Sequence, residues 1–355
     1  MIRILLIFLL AISTSSFAQT QQKAIDSLFY GKAGIRVQNP DVGLVVGIYQ
    51  NGQTHYYSIG TRMVKGSAVV DSLTIFEIGS ATKTLTALLL AIDIQHHRLA
   101  ESDPIDRYLP VDISLPRNYR NKIKLTDLAS HQSGLPNLSS DKYFESLLQK
   151  DPRNPFRFVD QKYLYRMLKE TDTLMNYGKY QYNNYAFSLL GDLLARKNEM
   201  TFNTLITHDI LHSLEMENTT FDNNRSTNVA GLYDQRGHPQ EPMILKAASP
   251  AGGLKSNAVD LIKYLKAQIS GTSTLEAAIR LTQKVYYKDN ERMVGLGWDI
   301  KDDYYQKDGD TFGNSCLLRF SRKNGTAIVV LSNHQNGMLV RDAVDFIYAQ
   351  INQVK

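Results

Sequence analysis

Cysteine is almost missing from this chain, with Cys316 the single thiol in 355 residues. One cysteine excludes an internal disulfide, and its place in an apolar run suits a packed strand rather than a reactive site. A concentrated basic tract is also missing. The formal charge is +5, or +4 once Arg3 is removed with residues 1–18, and it is spread along the chain. That distribution argues against nucleic acid as a partner, while a mildly cationic surface suits anionic cell-wall polymers. The one histidine pair, His96-His97, has no carboxylate or further histidine at zinc-ligand spacing, so neither a metal nor a cofactor is expected. Beyond the N-terminus no segment reaches the roughly 18 apolar residues of a membrane span. Internal repeats and low-complexity tracts are absent as well.

What remains is a globular composition, 43% hydrophobic, which is ample for a packed core. Residues 1–18 follow the order of a secretory signal: Arg3, an apolar run from Ile4 to Ile12, then Ser16-Phe-Ala18 as a small-residue cleavage site. The apolar run is too short to span a bilayer comfortably, and no cysteine at the cleavage site offers a lipid acceptor. The expectation is a soluble mature protein, secreted or periplasmic, with no membrane anchor after signal cleavage.

Strand signals lie at the two ends of the remaining chain. Val42 to Tyr49 and Thr54 to Ile59 flank Asn51-Gly52, and Cys316 to Ser321 and Thr326 to Ser332 flank Asn324-Gly325. Helical periodicity follows over Leu339 to Val354 and also marks Tyr185 to Arg196. These patterns predict an α/β (α+β) domain: an antiparallel β-sheet flanked by helices, built from both chain ends, with a mostly helical region inserted. Residues 19–355 then form one domain, its α/β part about 19–98 and 246–355 and its helical part about 99–245. A site belongs in the cleft between the two parts.

Ser80-Ala-Thr-Lys83 carries the chemistry. A serine and a lysine three residues apart share one helix face, so the amine can act on the hydroxyl proton without histidine. Ser139-Ser-Asp-Lys142 has the same spacing but lies in a polar stretch after Gly134-Leu-Pro136, whereas Ser80 leads into Leu85, Leu88, Leu89 and Ile92 at helical spacing. A helix mouth also supplies a positive dipole end and free N–H groups. Tyr182-Asn-Asn184, placed before an apolar helical pattern, offers a phenol able to lose its proton beside an ammonium group. Tyr119-Arg-Asn121 and Tyr49-Gln-Asn51 share its spacing without that context. Lys307-Asp-Gly309 is followed by Asp310-Thr-Phe-Gly313 and a strand; a glycine on a strand edge lets substrate approach closely, and the N–H of Asp310 can point at an oxyanion. Lys32-Ala-Gly34 and Lys323-Asn-Gly325 lack such a setting.

In this order the three motifs resemble those of the penicillin-recognising serine hydrolases, and the chain looks like their class C β-lactamase and DD-peptidase branch. Ile123 to Pro136, Tyr182 to Gly191, Leu214 to Phe221, Pro250 to Leu265 and Val294 to Ile300 resemble family segments too, so that the likeness runs from about Asp41 to about His334. It implies a β-lactamase/transpeptidase-like fold with Ser80 as the acylated nucleophile, Lys83 as its proton partner and Tyr182 as general acid/base. By the same resemblance Asn184 contacts a substrate amide, Lys307 and Gly309 belong to the substrate site, and the N–H groups of Ser80 and Asp310 hold the oxyanion. Two positions depart from the family pattern: Asp308 stands where Lys-Thr-Gly has threonine, and Leu138 stands where a polar contact is frequent. The implied function is an exported serine hydrolase that cleaves an amide of a D-amino-acid-containing peptide, cell-wall fragment or β-lactam, with small peptides, β-lactams, esters and peptidoglycan as partners. A carboxylic-ester hydrolase is the alternative. A penicillin-binding-like protein that recognises peptidoglycan without turnover would not need Ser80, Lys83 and Tyr182 together. His131 and Trp298 read as structural.

Overall fold

The computed structural model describes residues 22–31, 34–35, 41–66, 68–222, 226–271 and 274–353. The segment read as a secretory signal and the Lys32 position lie outside the described residues.

Strand β1, Leu44–Gln50, turns through Asn51-Gly52 into β2, Gln53–Ile59, with Gln50 facing Gln53. Both turn residues have positive φ, 51° and 80°, as a two-residue hairpin of matching twist requires. A two-stranded pair, β3 (Phe76–Glu77) with β4 (Lys255–Ser256), stands apart. The main sheet is completed by β5 (Tyr287–Lys288), β6 (Met293–Val294), β7 (Asp299–Ile300), β8 (Tyr305–Asp310), β9 (Ser315–Ser321) and β10 (Thr326–Ser332). Its order is β2-β1-β10-β9-β8-β7-β6-β5, antiparallel throughout. Both ends of the chain therefore meet in one sheet, since β1 pairs with β10. The strands β5 to β7 have two residues each, too short for an alternating pattern to announce them.

Alternation along the long strands sorts the core into two layers. Val45, Cys316, Leu318, Phe320, Val329 and Leu331 face one cluster. Leu44, Val46, Ile48, Leu317, Ile328 and Val330 face the other. The helices α1 (Thr82–Gln95) and α2 (Asn184–Lys197) extend the first cluster by packing on neighbouring helices, and against the first face itself packs α3 (Ala258–Ser270). Against the second packs α4, Gly337–Gln353, together with a helix over residues 22–30. Because helices cover both faces, the central strands read as continuous apolar runs.

Residues 99–245 carry the helices Leu125–Ala129, Phe144–Lys150 and Gln161–Glu170 besides α2. Trp298 is buried, with its ring stacked on Tyr264 and edge-on to Phe320, which makes it core. Cys316 is buried in β9, where its Sγ donates to the Ile78 carbonyl at 3.3 Å and burial pushes the thiol up. Among the described residues no helix is long and apolar enough to cross a membrane.

Candidate active site

Ser80 sits in a tight turn, Gly79–Ala81, that runs directly into α1. The turn lies so close to β8 that neither Gly79 nor Gly309 has room for a side chain. A β-carbon on Gly79, where φ is +47°, would come 2.6 Å from the Asp310 carbonyl oxygen, and one on Gly309 would overlap the Ile78 carbonyl. The contact brings the backbone of Asp310 beside the turn that carries Ser80.

The direction of the Asp310 N–H follows from the register. Thr311 N–H donates to the Asn314 carbonyl, so the next pair, Asp310 with Ser315, is a non-hydrogen-bonded one, and its N–H turns away from β9. On that side β7 pairs only with Tyr305 and Gln306, which leaves the edge at residues 307–310 open. Ser80 contributes a second N–H, in the opening turn of a helix where such donors have no intrahelical acceptor. Two backbone donors thus flank one spot beside the Ser80 hydroxyl.

The side chains converge as tightly. Ser80 Oγ shares a 2.5 Å hydrogen bond with Tyr182 Oη, and Lys83 Nζ donates to Ser80 Oγ at 3.0 Å. Lys83 is buried and donates also to the Ala251 carbonyl at 2.5 Å. Its amine is pulled below the usual lysine range by burial, against the pull of Tyr182 and together with repulsion from Lys307. Burial by itself would raise the Tyr182 phenol. The positive charges of Lys83 and Lys307, with hydrogen bonds from Lys83 and Ser80, outweigh that and bring it below its ordinary value. Both Nζ atoms stand 5.0 Å from the centre of the Tyr182 ring. Lys307 is buried as well, yet its ammonium is held above the usual range because Asp299, Tyr182 and Asp308 outweigh desolvation.

Tyr182 is positioned by its neighbours. Asn183 caps α2 by accepting from Ala186 N–H at 2.8 Å, and its side-chain amide donates to the Leu135 carbonyl at 2.6 Å. The N–H of Asn183 donates to His131 Nδ1 at 3.1 Å, and the His131 ring lies 4.7 Å from that of Tyr182. Burial and the charges of Lys307, Lys83 and Arg292 keep His131 neutral, well below the usual histidine value. It is a structural acceptor, as read from the sequence. Asn137, which the sequence reading passed over, accepts the Asn184 N–H at 3.0 Å and caps the turn that holds Leu138.

Two cavities meet at Ser80 and Asp310. One, of about 610 Å³, is polar and is lined by Tyr182, Lys307, Asp308, Asp299, Arg292 and Arg341 among others. The other, of about 250 Å³, is walled by Leu138, Phe156, Met243, Leu245 and Phe312, with Asn184 at its side. Asp308 faces the polar cavity and is paired: Arg341 from α4 lies 3.3 Å from one of its oxygens, and Lys307 lies 3.8 Å from the other. Asp299 and Arg341 carried no sequence signal of their own, and the Ala251 acceptor is backbone, which leaves no signature in side-chain spacing.

The other matches to these spacings have different surroundings. Ser139 is exposed in a short turn and Lys142 pairs with Glu170. Tyr119 is buried and donates to the Thr171 carbonyl, Tyr49 belongs to β1, and Lys323 pairs with Asp303. Ser80, Lys83, Tyr182, Asn184, Lys307, Gly309 and Asp310 all border one continuous cleft or its buried floor. Among the described residues no group of three or more histidine, cysteine or acidic side chains is arranged to hold a metal ion.

Known proteins resemble this chain in sequence and in fold. The chain is 26% identical over 289 residues to a beta-lactamase of Pseudomonas fluorescens, covering 79% of this chain and 76% of the relative. It is 24% identical over 268 residues to a beta-lactamase of Yersinia enterocolitica, covering 73% of this chain and 64% of that relative's length. In fold it is similar to a class C beta lactamase of Rhodobacter sphaeroides, with a TM-score of 0.79 at 20% identity over 94% of this chain and 99% of that one. A beta-lactamase/D-alanine carboxypeptidase of Pseudomonas syringae superposes with the same TM-score, 0.79, at 22% identity over 96% and 99% of the two chains. The sequence profile of the Beta-lactamase family matches residues 37–352, nearly the whole chain, and the protein belongs to that family.

Proposed function

We propose that the protein is an exported serine hydrolase that cleaves an amide of a β-lactam, a D-amino-acid-containing peptide or a cell-wall fragment through an acyl-enzyme on Ser80. The observation that carries this reading is the 2.5 Å contact of Ser80 Oγ with a phenol set between two ammonium groups. In the first step Tyr182 accepts the hydroxyl proton as Ser80 Oγ attacks the carbonyl carbon. The carbonyl oxygen becomes an anion held by the N–H groups of Ser80 and Asp310. Tyr182 then gives its proton to the departing nitrogen, the carbon–nitrogen bond breaks, and the acyl-enzyme remains. Water, losing a proton to Tyr182, attacks the ester carbonyl; the bond to Ser80 Oγ then breaks, Tyr182 returns that proton to Ser80 Oγ, and the acid is released. Lys83 and Lys307 stabilise the phenol's negative charge whenever it is deprotonated, and Asn184 is placed to meet an amide of the acyl portion.

Export rests on the order of charged, apolar and small residues in positions 1–18. A carboxylic-ester hydrolase is the second reading. It is favoured by Asp308, whose carboxylate faces the cavity where a substrate carboxylate would otherwise be met by threonine. Intact-mass spectrometry after exposure to a penicillin and to a neutral aryl ester tests both: an adduct that maps to Ser80 and vanishes in Ser80→Ala supports the acyl-enzyme. Absence of any adduct and of any turnover would end it.

A further inference from the structure

The polar cavity does not end with the catalytic groups. A further cavity, of about 560 Å³, opens beyond it, and Glu291, Arg292, Met293 and Lys301 border both. The path between the two follows β8. Asp310 stands beside the nucleophile turn, Gln306 lines the near cavity, and Tyr304, just before the strand, lines the far one. The 6 residues of β8 extend about 20 Å at ~3.3 Å each, whereas one amino acid fills only ~3.5 Å. The leaving atom takes its proton from Tyr182, which borders the near cavity, so the chain beyond the scissile bond starts there. A leaving group of one residue would abandon most of this groove to water. We propose that the leaving portion of the substrate is an extended peptide of about four residues or more, its far end seated on Tyr304 and Tyr348. This rests on the acyl-enzyme reading above and adds the length and chemistry of the leaving portion.

The far floor is built in advance. Tyr348 from α4 meets Tyr304 edge-on, with ring centres 5.1 Å apart. The buried Arg319 guanidinium lies 4.1 Å from the Tyr304 ring centre and 5.3 Å from that of Tyr348. Arg319 donates in turn to Gln306 Oε1 at 2.7 Å and to Asp345 at 2.6 Å, so one set of bonds joins the floors of the two cavities. The rim turns are tied as well. Asp289 accepts the Glu291 and Arg292 N–H groups at 2.9 Å, and Lys301 N–H donates to the Tyr304 carbonyl at 2.8 Å.

Charge points to an amide chain rather than a polymer of one sign. Around the far cavity Asp289 is occupied by its own turn, Asp303 is paired with Lys323, and Arg292 lies 4.2 Å from the centre of the Tyr180 ring. Lys288 and Asp302 add one charge of each sign. At the junction Glu291 and Lys301 form no side-chain hydrogen bond or ion pair among the described residues, which offers one acceptor and one donor. A peptide presents N–H and C=O groups in alternation and can meet both, whereas a polyanion or polycation would be repelled by one of them. The partly exposed rings of Tyr304 and Tyr348 suit an apolar side chain at the far end.

The test uses acetyl-D-alanyl esters of glycolic acid, which an amidase and an esterase of this mechanism can both cleave. Each is capped as an amide, so that no free carboxylate meets Asp308. The short ester ends at glycolamide, and the long one continues through three glycines to a phenylalanine amide. Hydrolysis releases acetyl-D-alanine from both. The expected kcat/KM is about tenfold or more higher for the long ester, from contacts remote from the reacting bond. Tyr348→Ala and Lys301→Ala should each shrink the long-to-short ratio toward one, and the exposed Lys301 guards against loss of fold. Equal kcat/KM for the two esters overturns the extended leaving site while leaving the hydrolase intact. Variants that slow both esters in proportion, or that leave a high ratio untouched, overturn it too. No Ser80 adduct and no turnover with either ester would overturn the site and the acyl-enzyme reading together.

Discussion

Tyr182 Oη and Ser80 Oγ are 2.5 Å apart although 102 residues separate them in the chain. The contact puts a phenol, rather than an imidazole, at hydrogen-bond distance from the serine hydroxyl. A phenol has an ordinary pKa of about 10, so such a base works near neutrality only where cations stabilise its anion. Lys83 and Lys307, each with its Nζ 5.0 Å from the ring centre, do this, and each contributes in its own way. Lys83 also holds the serine through a hydrogen bond, whereas Lys307 acts on the phenol across its ring face.

Ser80→Ala is expected to lower turnover by about 10⁶-fold if serine, lysine and tyrosine act as a unit. Ser139→Ala, at the exposed copy of the tetrad, should stay near wild type. Steady-state kinetics on a penicillin and an aryl ester, with intact mass to count adducts, compares the two. Retained turnover in Ser80→Ala would remove the covalent mechanism.

The pH dependence of kcat/KM should show an activity rise as Tyr182 loses its proton, centred below the ordinary phenol value because its pKa is lowered. Lys307→Met removes one of the two cations, which raises the phenol again and moves that rise to higher pH. Tyr182→Phe should slow both acylation and deacylation while thermal unfolding stays close to wild type. A pH profile unmoved by Lys307→Met would mean that another group titrates.

Asp308 and Arg341 form a second pair with a measurable consequence. Asp308→Thr removes a carboxylate from the cavity and frees Arg341, so kcat/KM for a cephalosporin bearing a free carboxylate should rise about 5- to 30-fold relative to a neutral ester. Arg341→Ala leaves Asp308 opposed only by Lys307 and should push the same ratio down. If the ratio is unchanged in both variants, Asp308 does not select against the carboxylate.

Gly309→Ala tests the close approach of β8 to the nucleophile turn. A methyl group there would overlap the Ile78 carbonyl, so the strand must shift and carry the Asp310 N–H away from the oxyanion position. Loss of one such donor lowers kcat by about 10² to 10³-fold. Circular dichroism and a thermal melt separate that loss from global unfolding, and a variant with full kcat would show that Asp310 N–H is not used.

Much of this site was legible one motif at a time. The Ser80 and Lys83 spacing marks one helix face, the Leu85 to Ile92 pattern marks the helix, and two hairpin turns place strands at both chain ends. The helix expected from Tyr185 to Arg196 spans Asn184–Lys197, and the strand expected from Cys316 begins at Ser315. The strands β5 to β7 were not legible because two residues cannot show a period. Nor were Asn137 and the Ala251 carbonyl, which act through a cap and through the backbone and so leave no spacing to recognise.

By itself the sequence determined which residue types could do the chemistry, because covalent spacing along a helix or into a turn is a local property of the chain. Tertiary structure alone decided the rest. Pairing β1 with β10 and covering the sheet on both faces brought Ser80, Tyr182 and Lys307 to one point, and only there do two ammonium groups lower a phenol's pKa. The antiparallel register turned the Asp310 N–H outward. Packing of α4 set Arg341 against Asp308, and a tethered loop and two stacked rings made one side of Ser80 apolar. Charge, register and cavity shape are properties of neighbours in space, and no spacing along the chain encodes them.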